Sequence, residues 1–484
     1  MAHIELLDQT LRDGPQSLWG MKMQAGMALP AAPHLDRSGF HAIDLVGSSM
    51  FEVLIRYCQE NPWEGLDLLL DAMPRTPVRG GMRSNAAVSF STSPDALMDA
   101  WMRQLNVHGC RSYWIYDLLY NVDKMHRLAG VAKQFGSEVA ATVMFSLSPL
   151  HTDEYFAKIT AELAASDDVD TILFYDPAGV LDVTRLRTVL PGVVAAAAGK
   201  PVEFHANNLL GLSGAAYVES LKHGVSILHT ASRPMANAAS VPSTEIMVHN
   251  LEILGHTHGI DTSRLGPVRE RFEAVGAAAG LPVNQHHEYD VMSLAHQIPG
   301  GMMGSLKRQL ADHGMEERLS EVLAETAQVR RELGYPVMAT PFSQLVGTQA
   351  VLNVVTGTRY GTVPDQVVEY AAGRFGTPVG PIEPETLDRI TGSPRAAAIM
   401  AAQPEQPTIE ELRASHGTAD DDELILRALV PESDLIQMRK AGPVKQDYPV
   451  LSSAELEQVA AIVRAVDRPY ARITTEAFDL ELGR

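Results

Sequence analysis

The chain has 484 residues, 45% apolar and 20% charged, the balance of a folded protein long enough for one large barrel with appendages or for two or three ordinary domains. Its 39 basic residues against 59 acidic ones give a formal charge of −20, which excludes non-specific attraction to nucleic acid or to an anionic membrane. The two cysteines, Cys58 and Cys110, make no metal-ligating pattern, and no signal peptide or apolar run of membrane-spanning length is found, so a cytoplasmic protein is expected.

Taken from the N-terminus, short apolar, β-branched runs alternate with helix-length segments. The runs are residues 4–10, 42–47, 78–84, 112–117, 138–145, 171–176, 201–206 and 225–230. The segments between them, such as 94–109, carry apolar residues at helical spacing and end near glycine. Alternating strands and helices imply parallel βαβ units. Eight such units in about 250 residues meet the requirement of a closed (β/α)8 TIM barrel, with a doubly wound open sheet as the alternative. In such a barrel the site lies at the C-terminal ends of the strands. Arg12 and Asp13 follow the first strand, with Gly14-Pro15 turning the chain towards Gln16. Arg83, Asp117, Asp176, His205, Asn207, Asn208 and His229 stand at the ends of later strands. Polar residues at strand ends commonly cap turns; Arg, Asp and His types converging on one rim also make a candidate site.

Beyond the barrel the chain reads as helical. Residues 243–250 begin the barrel's last helix, 304–334 are amphipathic and charged, and 384–390 and 404–414 have the Pro and acidic residues of helix starts. The acidic run at 420–423 reads as a helix cap, and 452–471 as a terminal amphipathic helix. The expected organisation is a barrel over 1–300, a helical domain over 301–440 that completes the mouth, and a helical tail over 441–484.

The stretch "TLRDGPQS" resembles the first-strand signature of the pyruvate carboxyltransferase and hydroxymethylglutaryl-CoA lyase superfamily. The stretches "GSSMFEVLIRYCQENPWEGLDLLLDAMPRTPVRGGMRSN", "YDPAG", "VPSTE", "HQIPGG", "ATPFSQLVG" and "VVEYAAGRFGTPVGPIEPE" are similar, in order and spacing, to the carboxyltransferase component of biotin-dependent enzymes such as pyruvate carboxylase, the oxaloacetate decarboxylase α subunit and the transcarboxylase. The resemblance implies a TIM barrel that binds a divalent metal (Mg, Mn or Zn) at its mouth and moves a carboxyl group between a 2-oxo acid and biotin through an enolate. It implies Asp13 and His205 as metal ligands, Arg12 and Gln16 as substrate contacts, Arg83 as the holder of the substrate carboxylate, and Thr340 as the group passing a proton between biotin and enolate. A homodimer or larger homo-oligomer is expected with it.

The departures from that pattern are specific. Tyr175, a candidate catalytic residue with Arg12, Gln16 and Thr340, stands where the family has a metal-ligating carboxylated lysine, and a tyrosine ligates only if its phenol is strongly activated. Asn207 replaces the second histidine of a His-x-His pair, a weaker, neutral ligand that favours Mg²⁺ or Mn²⁺; His229 is a candidate substitute ligand. Around the biotin pocket, Glu52, Phe90 and Gln344 replace an Asp, a Tyr and a Lys. The Met-Lys-Met at 21–23 falls where helix rather than an acceptor hairpin is expected, so no biotin-acceptor domain is read here and biotin is expected from a separate carrier subunit. The reading is a carboxyltransferase-family enzyme acting on a 2-oxo acid-like carboxylate. The alternatives are a biotin-independent, metal-assisted lyase or decarboxylase, and a non-catalytic subunit of a carboxylase complex.

Overall fold

All eight apolar runs fold as strands that pair in parallel, in chain order, and close on themselves in a computed structural model describing residues 2–87, 92–312, 314–402, 405–450, 461, 470–474 and 479–483. The strands are β1 (Glu5–Asp8), β2 (Ile43–Gly47), β3 (Val78–Arg83), β4 (Ser112–Tyr116), β5 (Glu138–Met144), β6 (Thr171–Asp176), β7 (Val202–Ala206) and β8 (Val225–Thr230). Closure runs through β1 and β8, from Glu5 opposite Ile227 to Asp8 opposite Thr230. The alternative of an open sheet is therefore set aside. Side chains alternate across each strand, so one parity faces the barrel axis and the other meets the surrounding helices. Tyr113, Ile115, Val139, Val143, Phe174 and Phe204 belong to the large core that β-strands and helices share. Each such side chain, removed from water, contributes about 1.5–3 kcal/mol before chain entropy is counted.

Local chemistry sets the helix starts. Asn61, Asn121, Thr152, Asp182 and Ser243 each accept a hydrogen bond from a backbone N–H in the first turn of the helix that follows. The acidic run near 420 has the expected capping role, since the Asp420 side chain accepts from the Glu423 N–H.

The helices after the barrel divide into two groups. Ile298, Met302, Leu306, Val329, Val337, Phe342, Val346 and their neighbours share a second core with Trp114, Met144, Leu173 and Tyr175 from the barrel mouth. Leu412, Leu424, Ile425, Leu429, Leu435 and Met438 instead join the barrel's own core, against its flank. Residues 301–440 thus do not form one mouth-covering unit: the part beyond 409 returns along the barrel side. Near the C-terminus, Tyr470–Thr474 pairs antiparallel with Asp479–Gly483, so strand pairing replaces the helical tail expected there. Most of the helix expected over 452–471 lies outside the described residues. No described helix is long and apolar enough to cross a membrane.

Candidate active site

The turn after β1 is organised by its own last residue. The Asp8 carboxylate accepts the Thr10 N–H at 3.1 Å and the Thr10 hydroxyl at 2.6 Å, so the chain folds back and delivers Arg12 and Asp13 to the rim. The Arg12 guanidinium then turns inwards. It donates through Nε to Asp44 Oδ2 (2.9 Å) and through Nη2 to Gln9 Oε1 (2.5 Å), reaches Asp13 Oδ1 at 3.5 Å, and lies 4.9 Å above the Trp114 ring. Trp114 comes this close to the axis because Gly81 leaves room for it: a Cβ on Gly81 would collide with the indole. Burial works against the Arg12 charge, yet Asp44, Tyr175 and Asp13 hold its pKa above the ordinary value.

Asp13 gathers donors. Its carboxylate accepts Asn207 Nδ2 at 3.1 and 3.3 Å, Ser240 Oγ at 2.8 Å and Ser17 Oγ at 3.2 Å. The Asn207 amide is oriented by a further bond from Nδ2 to the Ala239 carbonyl at 2.8 Å, which only accepts. Behind these groups the imidazoles form a line. Glu203 accepts from His229 Nε2 (2.8 Å), and His229 Nδ1 meets Gln9 Nε2 and His205 Nδ1, each at 3.1 Å. Although burial opposes it, Arg79 and His229 keep Glu203 ionised, with its pKa below the usual carboxylate range. The proton on His229 is therefore assigned to Nε2, and the proton on His205 to Nδ1, leaving His205 Nε2 with a buried, unpartnered lone pair 3.8 Å from Asp13 Oδ1. Burial, then the neighbouring charges of His229 and Arg12, pushes the His205 pKa well down.

Two chambers that share part of their lining open above this layer. The inner one, of about 190 Å³, is lined by Asp13, Gln16, Trp114, Tyr175 and Asn207 from the barrel and by Thr340 and Gln344 from the helical region. The outer one, of about 250 Å³, is lined by Ser49, Glu52, Arg56 and Tyr57. Gln16, Met21, Trp114, Tyr116, Thr340 and Gln344 line both. Thr340 precedes the helix Phe342–Thr356, and its Oγ1 accepts from Gln344 Nε2 at 2.9 Å. An apolar void of about 40 Å³ among Leu11, Leu45, Phe51 and Leu66 is a packing gap with no chemistry to offer beyond the Glu60 carboxylate at its edge.

The sequence-predicted residues sort by this geometry. Gln16, Tyr175, Asn207 and Asp13 share a chamber with Thr340, which lies far along the chain from them. Arg12 and Arg83 are buried and are not among the residues bordering either chamber; Arg83 Nη2 reaches Ser49 Oγ at 3.2 Å. Asp117 and Asp176 cap turns, accepting the N–H groups of Leu119 and of Leu181. Phe90 lies outside the described residues. The Met-Lys-Met at 21–23 is an irregular link into the short helix Ala25–Ala28 rather than a hairpin. Sequence reasoning missed Gln9, Asp44, Trp114, Glu203 and Ser240. Asp44 and Glu203 carried a signal, being charged residues inside otherwise apolar strands.

The residues expected to hold a divalent metal do not assemble into a cage. Asp13 and the free nitrogen of His205 meet, which is the one feature that points towards a cation. The Asn207 N–H₂ rather than its carbonyl faces Asp13 in this arrangement. Both nitrogens of His229 are engaged, by Glu203, Gln9 and His205. Burial, and next the charge of Asp13, raises the Tyr175 pKa, so its phenol is a neutral O–H and not a phenolate. No group of three or more His, Cys, Asp or Glu side chains placed to hold a metal occurs among the described residues.

Residues 294–460 match the family model described as a conserved carboxylase domain. The chain is 32% identical over 397 residues to one of the pyruvate carboxylase subunits of Methanocaldococcus jannaschii, covering 80% of this chain and 68% of that protein. It is 29% identical over 469 residues to the 2-oxoglutarate carboxylase large subunit of Hydrogenobacter thermophilus, covering 95% and 72%. Its fold is similar, with a TM-score of 0.83 at 21% identity, to the carboxyl transferase domain of Rhizobium etli pyruvate carboxylase, over 93% of this chain and 79% of that one. With the barrel, the mouth-covering helices and these relatives together, the chain belongs to the carboxyltransferase family of the biotin-dependent enzymes.

Proposed function

We propose that this protein moves a carboxyl group between a 2-oxo acid held in the inner chamber and biotin brought to the outer chamber by a separate carrier protein. The observation that carries the reading is the junction of the two chambers at Thr340, where one hydroxyl borders both sites. Because Gln344 Nε2 donates to Thr340 Oγ1, the hydroxyl proton of Thr340 is uncommitted and available to pass across that junction. The Gln16 amide, lining both chambers, binds and orients the 2-oxo acid. Arg12 and Arg83, buried just behind the walls, supply positive potential to an anionic substrate without touching it. Biotin, when bound, supplies the ureido nitrogen that carries the carboxyl group, and the polar lining of Ser49, Glu52, Arg56 and Gln344 suits such a ring. The pyruvate carboxylase and 2-oxoglutarate carboxylase relatives are each named as one subunit of their enzyme, which supports an assembly of more than one chain. A homodimer or larger assembly is part of the same proposal and is read by light scattering.

The test is turnover of oxaloacetate and oxalosuccinate, the 3-carboxylated forms of pyruvate and 2-oxoglutarate. Release of the parent 2-oxo acid is expected only when a biotinylated carrier or biocytin is present, and avidin is expected to stop it. Release at full rate without biotin would replace this reading with the lyase. Silence under every condition would remove the carboxyl-transfer reading of this site.

A further inference from the structure

The divergence at the metal position has a chemical consequence. As the carboxyl group leaves C3 of the substrate, the electron pair of the broken bond passes into the enolate and charge gathers on its C2 oxygen. Something must receive that charge. The ligand set gathered here is one carboxylate already carrying three hydroxyl or amide donors and one imidazole, two groups where a tightly held cation takes at least three.

Tyr175 offers another way. It ends the inward-facing set of β6 and lines the inner chamber, its ring 4.0 Å from that of His205 and edge-on to Trp114. The Arg12 guanidinium is close enough for its charge to act on the phenol. A guanidinium carries no acceptor, so Arg12 cannot take the Tyr175 proton. Among the described residues none is found to accept a hydrogen bond from it, whereas the Asp13 oxygens nearby are engaged by Asn207, Ser240 and Ser17. The positive charge of Arg12 beside the phenol polarises the O–H and makes it a better donor.

We infer that the Tyr175 hydroxyl, backed by Arg12, donates to the enolate oxygen of the substrate and so takes over at this position the part a Lewis-acidic cation plays in holding that charge. The inference rests on the proposed 2-oxo acid reading of the inner chamber. No proton is transferred: the O–H bond stays, and the hydrogen bond strengthens as charge builds on the oxygen. Asn207 belongs to the same substitution, its N–H₂ donating to the Asp13 carboxylate.

The experiment uses the purified full chain and oxalate, a planar dianion shaped like the enolate of pyruvate. Elemental analysis should find well below one equivalent of transition metal or magnesium per chain. Calorimetric titration should show oxalate binding that is the same in excess EDTA as in added Mn²⁺. Tyr175→Phe, which keeps the ring and its packing, should weaken oxalate binding about ten- to a hundredfold, the loss of one hydrogen bond to a charged group, with an unchanged circular dichroism spectrum. Stoichiometric metal, oxalate binding that needs Mn²⁺, or wild-type affinity in Tyr175→Phe would each overturn the inference. A metal requirement alongside biotin-dependent transfer would overturn it alone and leave the carboxyltransferase reading standing. Failure of oxalate to bind with or without metal would overturn both.

Discussion

Arg79 sits on the barrel axis with its guanidinium between Glu203 (2.6 and 3.2 Å) and Glu138 (3.0 Å), and its Nε donates to Ser112 at 2.7 Å. Glu203 passes the line on to His229 and His205, so a polar column runs from the barrel floor to the site. Removing one member of such a column leaves a buried charge unpaired, which is why these residues fix each other's geometry. At the floor, His41 stands between Glu138 (2.8 Å) and Glu5 (3.0 Å). The hydrogen bond to Glu138 is the main reason its pKa is raised to about 8, from an ordinary 6.5. A raised folded-state pKa contributes stability that is complete below pH 6.5 and is lost as pH rises through 8. His41→Gln should therefore cost about 1 kcal/mol at pH 6, after allowance for solvent screening, and nothing above about pH 9. Thermal unfolding of both proteins across that range checks it; a pH-independent difference would mean that packing, not charge, is what His41 contributes. At this scale the sequence was partly legible. Strand-end position picked out Asp13, His205 and Asn207, whereas on β6 it picked out the turn-capping Asp176, and Tyr175 was reached only through the family resemblance. It did not foretell that Arg12 turns inwards, since the choice was made by Asp44 and Gln9, whose aim depends on how β1 and β2 meet.

At the scale of elements, the strands were the most legible feature. Each of the eight lies within the run that named it, differing by a few residues at the ends, because apolar β-branched segments buried on both faces have no other stable use. Docking of the later helices was not legible: amphipathic segments 409–416 and 421–429 announce a buried face but not what buries it. The contact that holds the segment after them is a close backbone approach. A Cβ on Gly26 would lie 2.7 Å from the carbonyl oxygens of both Lys445 and Asp447, and Arg271 ties Gly26 and Tyr448 together through their carbonyls at 2.8 and 3.4 Å. Gly26 takes no left-handed backbone, so the constraint is space alone. Gly26→Ala should destabilise the protein by about 1–3 kcal/mol and free residues 443–450 from the barrel flank. Limited proteolysis should then cut within that segment much faster than in the wild type. An unchanged cleavage pattern would show that Arg271 and the apolar contacts of Val444 hold it unaided.

In the proposed reaction two bodies of structure meet at the mouth, the barrel rim bearing Tyr175 and Gln16 and the helical cover bearing Thr340 and Gln344. Their alignment is set by a buried cation. Arg330, in the helix Leu319–Glu332, donates through Nη2 to Ser146 Oγ (2.8 Å) and to the Leu147 carbonyl (2.9 Å), just past the end of β5. Through Nε it donates to the carbonyl of Pro336 at 3.1 Å, in the short link that leads to Thr340. Gln297 reinforces the same joint, accepting from Ser146 Oγ and the Leu147 N–H and donating to the Leu147 carbonyl. Burial lowers the Arg330 pKa to about 10, so the charge persists at neutral pH and its three oxygen partners stay engaged. Arg330→Met keeps the length and the apolar stem but strips every donor, leaving those acceptors dry. The expected cost is about 2–4 kcal/mol of stability. The functional consequence is separate: a hydroxyl displaced by about 1 Å can cost a hundredfold in rate, whereas the walls that bind substrate belong mostly to the barrel. In the biotin-dependent assay, Arg330→Met should therefore lower kcat at least tenfold with little change in KM, and Arg330→Lys, which restores a charge and some donors, should recover part of it. A fall in stability with kcat untouched would show that the cover holds Thr340 in place by its apolar core alone; a rise in KM with kcat unchanged would move Arg330 from the alignment of the proton-passing group to the binding of substrate.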